Sequence, residues 1–305
     1  MTSTQADIDR SYSVDNEFFA LWLDENMHYT SAAYDDDGHE GRRGAAMPEL
    51  TLEEAQERKA RVLYDFAEID STKTVLDIGC GWGSAIDCMV RFGVRQAHGI
   101  TLSTEQIRYC EQRNLPREKV AYWLEDYAKF VPPQTLRNAN GTPGKYDGLV
   151  SIEMIDHLCS PAQAREGLAV SIYREYFNRL AEWVEPGACF GFQAILRNRI
   201  PRARKDLDDL AFTADVIFPG GLNPRIEELI VAIAPKWECE KLIMRRKDYR
   251  ATTAEWYRRF LLNEDTIRAR WGNQVWEDYD RYLSTCVKAM DLHWSGDVQM
   301  KLRRI

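Results

Sequence analysis

The chain has 305 residues, 45% of them apolar and 11% aromatic, with a formal charge of −8, so it can bury a sizeable core in one large domain or two small ones. The acidic balance argues against a general nucleic-acid binder, which needs a basic face, and no apolar run approaches the ~20 residues of a membrane span. Seven cysteines without a CxxC spacing indicate neither a zinc site nor a disulfide framework, and the start lacks the basic and apolar regions of a signal peptide. The expectation is a soluble cytoplasmic protein with reduced thiols and no stable membrane insertion, a homo-oligomer being left open.

Residues 1–70 read as helical. Phe18, Phe19, Trp22 and Leu23, then Val62, Leu63 and Phe66, recur at the three- and four-residue spacing of a buried stripe. Thr51-Leu-Glu-Glu is a capping box opening the second helix. Between them, segment 35–48 reads as a mobile loop, and its Asp35-Asp-Asp37 as solvated acid rather than a metal site.

From residue 73 strands and helices alternate. Strands are predicted at 74–78, 97–101, 120–124, 146–152 and 188–196, with helices at 84–92 and from near 104. Such alternation predicts an α/β fold, a mainly parallel sheet with helices on both faces. Ligands of open sheets bind beyond the carboxyl ends of the strands, where segments 79–83, 101–106, 126–127 and 151–157 all fall. Segment 131–144 reads as a surface loop. Residues 197–235 read as amphipathic helix broken at Phe218-Pro-Gly-Gly-Leu-Asn-Pro224, a helical cap over the active edge. Helices are predicted at 252–263, 264–271 and 274–292, with strand-like pieces at 237–247 and near the C-terminus. The division read is 1–70 as a helical segment covering the cofactor, 71–196 as the core, 197–235 as the cap and 236–305 as completion of the sheet, in one structural domain. The basic run Arg197, Arg199, Arg202, Arg204 and Lys205 reads either as a solvated face or as an anion site for a substrate phosphate or carboxylate.

The stretch Val75-Leu-Asp-Ile-Gly-Cys-Gly-Trp-Gly-Ser84 carries the strongest signal. An apolar strand ends in Asp77 and runs into Gly79-x-Gly81-x-Gly83. This spacing differs from the dinucleotide pattern G-x-G-x-x-G, and the Lys-Ser/Thr pair of a P-loop is missing. It resembles the first motif of class I S-adenosylmethionine (SAM) methyltransferases. Together with Asp15-Asn-Glu-Phe-Phe19, Thr51-Leu-Glu-Glu-Ala-Gln56 with Lys59, Gly99-Ile-Thr-Leu-Ser103 with Gln106, Phe218-Pro-Gly-Gly221 with Pro224, and Tyr249 with Trp256, the chain is similar nearly end to end to the cyclopropane fatty acid and cyclopropane mycolic acid synthase family. The resemblance implies a Rossmann-like class I methyltransferase fold and SAM as cofactor.

Carried over by position, the resemblance places Tyr29, Thr30 and Ser31 at the methionine carboxylate. Gly79, Gly81 and Gly83 would line the loop, where a Cβ would collide, and Asp77 would position the loop and the ammonium. Thr101, Leu102 and Gln106 would sit at the ribose, Asp126 and Tyr127 beside the adenine. Thr101 also reads as an ordinary strand end and Tyr127 as ordinary core.

Family members that cyclopropanate lipids hold bicarbonate with a Cys, a Glu, a His and a Tyr. The matching positions here are Ala32, Asp156, Gln193 and Tyr249. Methyl transfer to an alkene creates a carbocation, and ring closure needs a held base to take a proton from the new methyl group. These departures argue against closure through bicarbonate. The remaining catalytic candidates are Glu153, Asp156, His157 and Tyr249. His157 reads equally as a buried hydrogen-bonded histidine and Glu153 as a helix-start carboxylate. Tyr29, Phe212 and Phe218 could stabilise a cation by ~1–2 kcal/mol when dry, or simply pack.

The leading expectation is a SAM-dependent enzyme that C-methylates a small, largely apolar acceptor in specialised metabolism: an alkene, an isoprenoid or an activated carbon, with an anionic group if the basic run lines the cap. Its rivals are cyclopropanation of unsaturated fatty-acyl chains by a different base, N-methylation of a small amine facing Glu153 and Asp156, and a SAM-binding regulator without turnover.

Overall fold

A computed structural model describes residues 14–34 and 50–305; the readings made for 35–48 and for Asp35-Asp-Asp37 lie outside the described residues. A five-residue helix, α1 (Asn16–Ala20), comes first, followed by α2 (Leu52–Phe66). Then come β1 (Thr74–Ile78), α3 (Ser84–Arg91), β2 (Gln96–Thr101), α4 (Thr104–Gln112), β3 (Val120–Leu124) and β4 (Tyr146–Ile152). A 3-10 turn (Met154–His157), α5 (Pro161–Arg165) and α6 (Ala169–Ala181) lead to β5 (Val184–Arg197). The cap segment contains α7 (Arg204–Phe212), a π turn (Thr213–Ile217) and α8 (Ile226–Ile233). The chain finishes with β6 (Trp237–Met244), α9 (Arg246–Leu262), α10 (Glu264–Trp271), α11 (Asn273–Asp291) and β7 (Ser295–Arg304).

The seven strands lie in the order β3-β2-β1-β4-β5-β7-β6. Strands β1 to β5 are parallel, and β7 runs antiparallel between β5 and β6. The order reverses between β1 and β4, so their carboxyl ends flank a crevice of the kind in which such sheets bind ligands. Both central strands are fully or nearly fully buried, as expected with helices on both faces.

On one face α6 and α8 lay Tyr173, Tyr176, Phe177 and Leu229 against Phe190 and Phe192 of β5. On the other, α2 and α3 pack Leu63, Ile86 and Met89 against Val75 and Val150. A third cluster gathers Phe18, Phe19 and Trp22 with Trp256, Phe260, Tyr279 and Tyr282, tying α1 to α9 and α11. This explains why the first apolar group makes only a short helix. Its aromatic rings meet partners on several sides, and Asp15 caps the helix by accepting the Phe18 N–H at 3.0 Å. The capping box at Thr51 forms with Glu54 as read. Strand β5 starts earlier than the predicted 188–196 because Val184 pairs with Tyr146 of β4 ahead of a register shift, and it runs on to Arg197, paired with Ser295 of β7. Among the described residues no helix is long and apolar enough to cross a membrane.

Helix α2 lies so close to the sheet that a Cβ on Gly191 would collide with the Leu63 carbonyl oxygen, and one on Gly148 would sit 2.8 Å from that of Ala67. Neither backbone oxygen can move without unwinding the end of α2. Gly191→Ala is therefore expected to destabilise the protein by about 1–3 kcal/mol or more. A denaturant midpoint equal to that of the unaltered chain would contradict this packing.

Candidate active site

The crevice opens into a cavity of about 590 Å³ that runs from the glycine loop to the cap. Strand β1 delivers Asp77 to it. The chain then turns through Gly79, whose φ of +81° is the left-handed conformation open to glycine. A Cβ at Gly79 would fall 2.7 Å from the Met154 side chain, so the loop packs directly on the 3-10 turn after β4. The Gly79 and Cys80 N–H groups both donate to Ile100 O, at 2.9 and 3.0 Å, tying the loop to β2. Asp77 is buried, and its Oδ1 has no hydrogen-bond partner among the described residues. Burial raises its carboxyl to about 7, against the opposing pull of the Lys59 ammonium.

Gly79, Gly81, Thr101, Leu102, Gln106, Asp126 and Tyr127 line the cavity, and so do Tyr29 and Thr30. Ser103 caps α4 by accepting the Gln106 N–H at 3.3 Å, which holds the Gln106 side chain where Thr101 Oγ1 donates to its Oε1 at 2.9 Å. Asp126 Oδ1 accepts the Ala128 N–H at 2.9 Å, and the Tyr127 ring stands edge-on to Tyr176 at 5.2 Å. Tyr29 donates its hydroxyl to Tyr282 at 3.0 Å and sits among Trp22, Trp82, Phe218 and Trp256.

Two expected contacts are placed otherwise. Ser31 does not line the cavity: its hydroxyl donates to Ala32 O at 3.2 Å and its N–H to Glu153 Oε1 at 2.9 Å. Gly83 lies behind the loop at the start of α3, where a Cβ would meet Cys110. Phe212 is also outside the cavity, covered by the Arg281 guanidinium at 4.3 Å.

The four catalytic candidates do line it together. Glu153 follows β4 in the left-handed region, φ 59°, a strained conformation for a residue with a side chain. Its Oε1 accepts from Ser31 N and from Gln193 Nε2 at 2.9 and 2.8 Å. Burial lifts its carboxyl to about 7, opposed by those two hydrogen bonds and by Lys59. Asp156, one turn on, has no hydrogen-bond partner on either oxygen among the described residues, and burial beside Glu153 pushes its carboxyl well up. His157 packs edge-on to Phe218 at 6.3 Å, and burial brings its ring down to about 4, so it is neutral at pH 7. The Tyr249 hydroxyl is held well above its usual range by burial.

The basic run divides. Arg197 is engaged by Glu228 Oε1 at 2.5 Å and donates to Asn223 O at 2.8 Å. Arg204 and Lys205 pair with Asp208 and Asp209 on the outer face of α7. Of the five, Arg197 and Arg199 line the cavity, and Arg199 is exposed at its mouth.

Residues not singled out as site residues complete the floor. Lys59 is fully buried on α2, and its Nζ donates to Thr30 Oγ1 at 2.7 Å. Buried positions 52, 55, 56, 59, 60 and 63 of α2 form one helical stripe, so a lysine on an otherwise buried face was a readable signal. Gln193 Oε1 accepts from Gln299 Nε2 at 2.7 Å, and Gln299 Oε1 from Arg245 Nε at 2.9 Å. That chain joins β5, β7 and the start of α9, elements far apart in sequence.

The sequence model of mycolic acid cyclopropane synthetases matches residues 1–300. The S-adenosylmethionine-dependent methyltransferase UmaA of Mycobacterium tuberculosis is 26% identical over 287 residues, covering 90% of this chain and 89% of that protein. The tuberculostearic acid methyltransferase UfaA1 of the same organism is 30% identical over 286 residues, 89% of this chain and 59% of its own length. Among solved structures the cyclopropane synthase MmaA2 from Mycobacterium tuberculosis superposes with a TM-score of 0.83 over 99% of each chain at 23% identity, a likeness of fold.

Asp77 carries a proton below about pH 7 and then offers no charge to an ammonium. SAM affinity is expected to fall by up to about tenfold per pH unit as pH drops from 7 to 5.5, with uptake of SAM releasing a proton from Asp77. Calorimetry in buffers of different ionisation enthalpy measures both. Asp77→Asn is expected to flatten the profile at weaker affinity, and a flat profile in the unaltered protein would remove this role.

Proposed function

From the premise that this chain belongs to the mycolic acid cyclopropane synthetase family and is a SAM-dependent methyltransferase, we propose that it alkylates the carbon–carbon double bond of an unsaturated fatty-acyl chain and closes a cyclopropane. The observation that carries this reading is the shape and lining of the cavity beyond the glycine loop. It continues between the cap and α11 past Ile200, Leu207, Leu210, Leu222, Ala289 and Met290, a long apolar surface suited to an alkyl chain. The expectation of a small acceptor from specialised metabolism gives way to this rival, because the family model and the curated relatives are enzymes named for mycolic acid and fatty-acid chemistry.

The cofactor fits the residues present. Asp77 has an orphaned carboxylate oxygen where an ammonium would be held, and Gln106, Asp126 and Tyr127 offer polar and aromatic contacts along the same wall. When bound, SAM supplies a methyl group on a sulfonium, electrophilic toward an alkene π pair. Tyr29 and Phe218, with ring centroids 6.0 Å apart, present aromatic faces beside the acid cluster. Such faces favour positive charge by ~1–2 kcal/mol in a dry site. The shell of Trp22, Trp82 and Trp256 around Tyr29 excludes the water that would trap a carbocation.

Amine methylation has less support. Burial, and the Glu153 charge beside it, push the Asp156 carboxyl well up, which disfavours the charged form that a cationic acceptor would seek.

The test uses SAM with a fully deuterated methyl group and a pooled panel of cis-unsaturated phospholipids, free unsaturated fatty acids, prenyl diphosphates and amines. Labelled lipid keeping two deuteriums is the expected product. Lipid keeping three would mean a methyl branch without a ring, and label found only in prenyl diphosphate or amine would overturn the lipid reading. For an acceptor with an anionic head group, Arg199→Gln is expected to raise KM several-fold with kcat unchanged. Arg204→Gln, outside the cavity and paired with Asp208, serves as the control and is expected to change neither.

A further inference from the structure

We infer that Glu153 fills, with its own side-chain carboxylate, the anion cavity that the family resemblance assigns to bicarbonate, so that the chain carries its proton acceptor covalently attached. Only the final step of this inference rests on the proposed alkene chemistry; the occupancy of the cavity stands on geometry.

Three of the four positions matched to that cavity, Gln193, Asp156 and Tyr249, surround Glu153, and the fourth, Ala32, follows the residue whose N–H binds it. Gln193 donates its amide to Glu153 Oε1 at 2.8 Å, and the Ser31 N–H, one residue before Ala32, donates to the same oxygen at 2.9 Å. Asp156 and Tyr249 lie close enough for the Glu153 charge to raise both of their ionisations. Ala32, fully buried, has its own N–H taken by Thr252 Oγ1 at 3.0 Å. The Ser31 and Gln193 donors that a free anion would need are thus spent on Oε1. Oε2 has no hydrogen bond among the described residues, and Glu153 lines the cavity.

The polarity of the arrangement is imposed from behind. A glutamine amide can turn either end toward a carboxylate, but only its NH2 end is favourable there. Arg245 is a donor only, so its Nε selects the oxygen of Gln299. Gln299 then gives its NH2 to Gln193 Oε1, and Gln193 is left presenting its own NH2 to Glu153. The left-handed backbone at Glu153 brings the side chain back beneath Ser31. Lys59 is the charged group that acts on it, and the Glu153 charge in turn raises Asp156, Asp297 and Tyr249. Burial, opposed by the Ser31 and Gln193 hydrogen bonds and by Lys59, sets the Glu153 carboxyl near 7, a basicity matched to proton transfer at neutral pH.

In the step that follows alkylation, a C–H bond of the transferred methyl group breaks. Its electron pair forms the second carbon–carbon bond of the ring at the cationic carbon. The proton passes to Glu153 Oε2, which becomes a carboxylic acid and returns the proton to solvent after product leaves. No oxidant or further reactant is consumed.

The test has a binding arm and a turnover arm. In the first, ¹³C-bicarbonate is titrated into the full chain with S-adenosylhomocysteine and followed by NMR. The unaltered protein is expected to show no bound signal and Glu153→Ala to show one; a bound signal in the unaltered protein that Glu153→Ala does not change overturns the inference. In the second arm, turnover of the lipid is measured in bicarbonate-depleted buffer. The unaltered enzyme is expected to keep its rate. Glu153→Gln, similar in shape, is expected to lose kcat by about 10²-fold or more while binding S-adenosylhomocysteine normally. Glu153→Ala is expected to lose as much and to regain activity with added bicarbonate or formate. A rate that collapses when bicarbonate is removed, or a Glu153→Gln enzyme of full kcat, overturns the assignment. If the unaltered protein modifies no unsaturated lipid, the proposed function fails while the binding arm still decides who occupies the cavity.

Discussion

A carboxylate removed from water has to be paired, hydrogen-bonded or protonated, and the crevice between β1 and β4 buries several at once. Lys59 is the cation they share: Asp24, Asp77 and Glu153 all act on its ammonium. Asp24 is held further by His28 at 2.8 Å. Placing one lysine among acids from three different segments requires α2 to lie across the sheet at very short range. That requirement reaches into β4 and β5, where Gly148 and Gly191 leave room for the backbone of α2. The capping box at Thr51 and the stripe from Leu52 to Leu63 serve the same placement, because they set the rotation that turns position 59 inward.

Acids that Lys59 does not balance have their charged forms disfavoured by burial. Among the described residues Asp156 and Asp297 have no hydrogen-bond partners on their carboxylate oxygens, and burial raises both. Arg245 opposes this at Asp297, where its own N–H also binds the backbone oxygen at 2.7 Å. The centre is therefore a graded set of acids. Burial raises Asp156 and Asp297 furthest, while Asp77 and Glu153 sit near 7 and can change state within the working range.

Much of this was legible in the residues. The strands of the parallel half and the helices after β1 and β2 follow from period and punctuation, since a buried strand beside a glycine loop has few alternatives. The glycine loop, the Thr101–Gln106 pair and the Glu153–His157 segment were readable because each follows a strand end, and strand ends on one edge are gathered by topology alone. What escaped was long-range. Nothing near Gln193 or Gln299 announces that β7 inserts beside β5, and without that pairing their side chains have no relation. The basic run looked like one patch because its members are close in sequence; in space its acidic partners come from α7 and α8 and leave Arg199 at the mouth. Ser31 was read by its hydroxyl, whereas its backbone N–H makes the contact that matters to the site. A hydrogen bond from the main chain leaves no trace in residue type.

The insertion of β7 between β5 and β6 also sets an order of assembly. Strands β1 to β5 can pair while residues beyond 197 are still being synthesised, which is enough to shape the glycine loop and the crevice. Gln299 and Asp297 arrive only with the final strand of the described fold. Until then Gln193 has no partner on its amide oxygen and is free to turn. A nascent chain can thus form a nucleotide-shaped pocket early, but its acid–base centre has a defined polarity only once the last strand has slid into an already formed sheet.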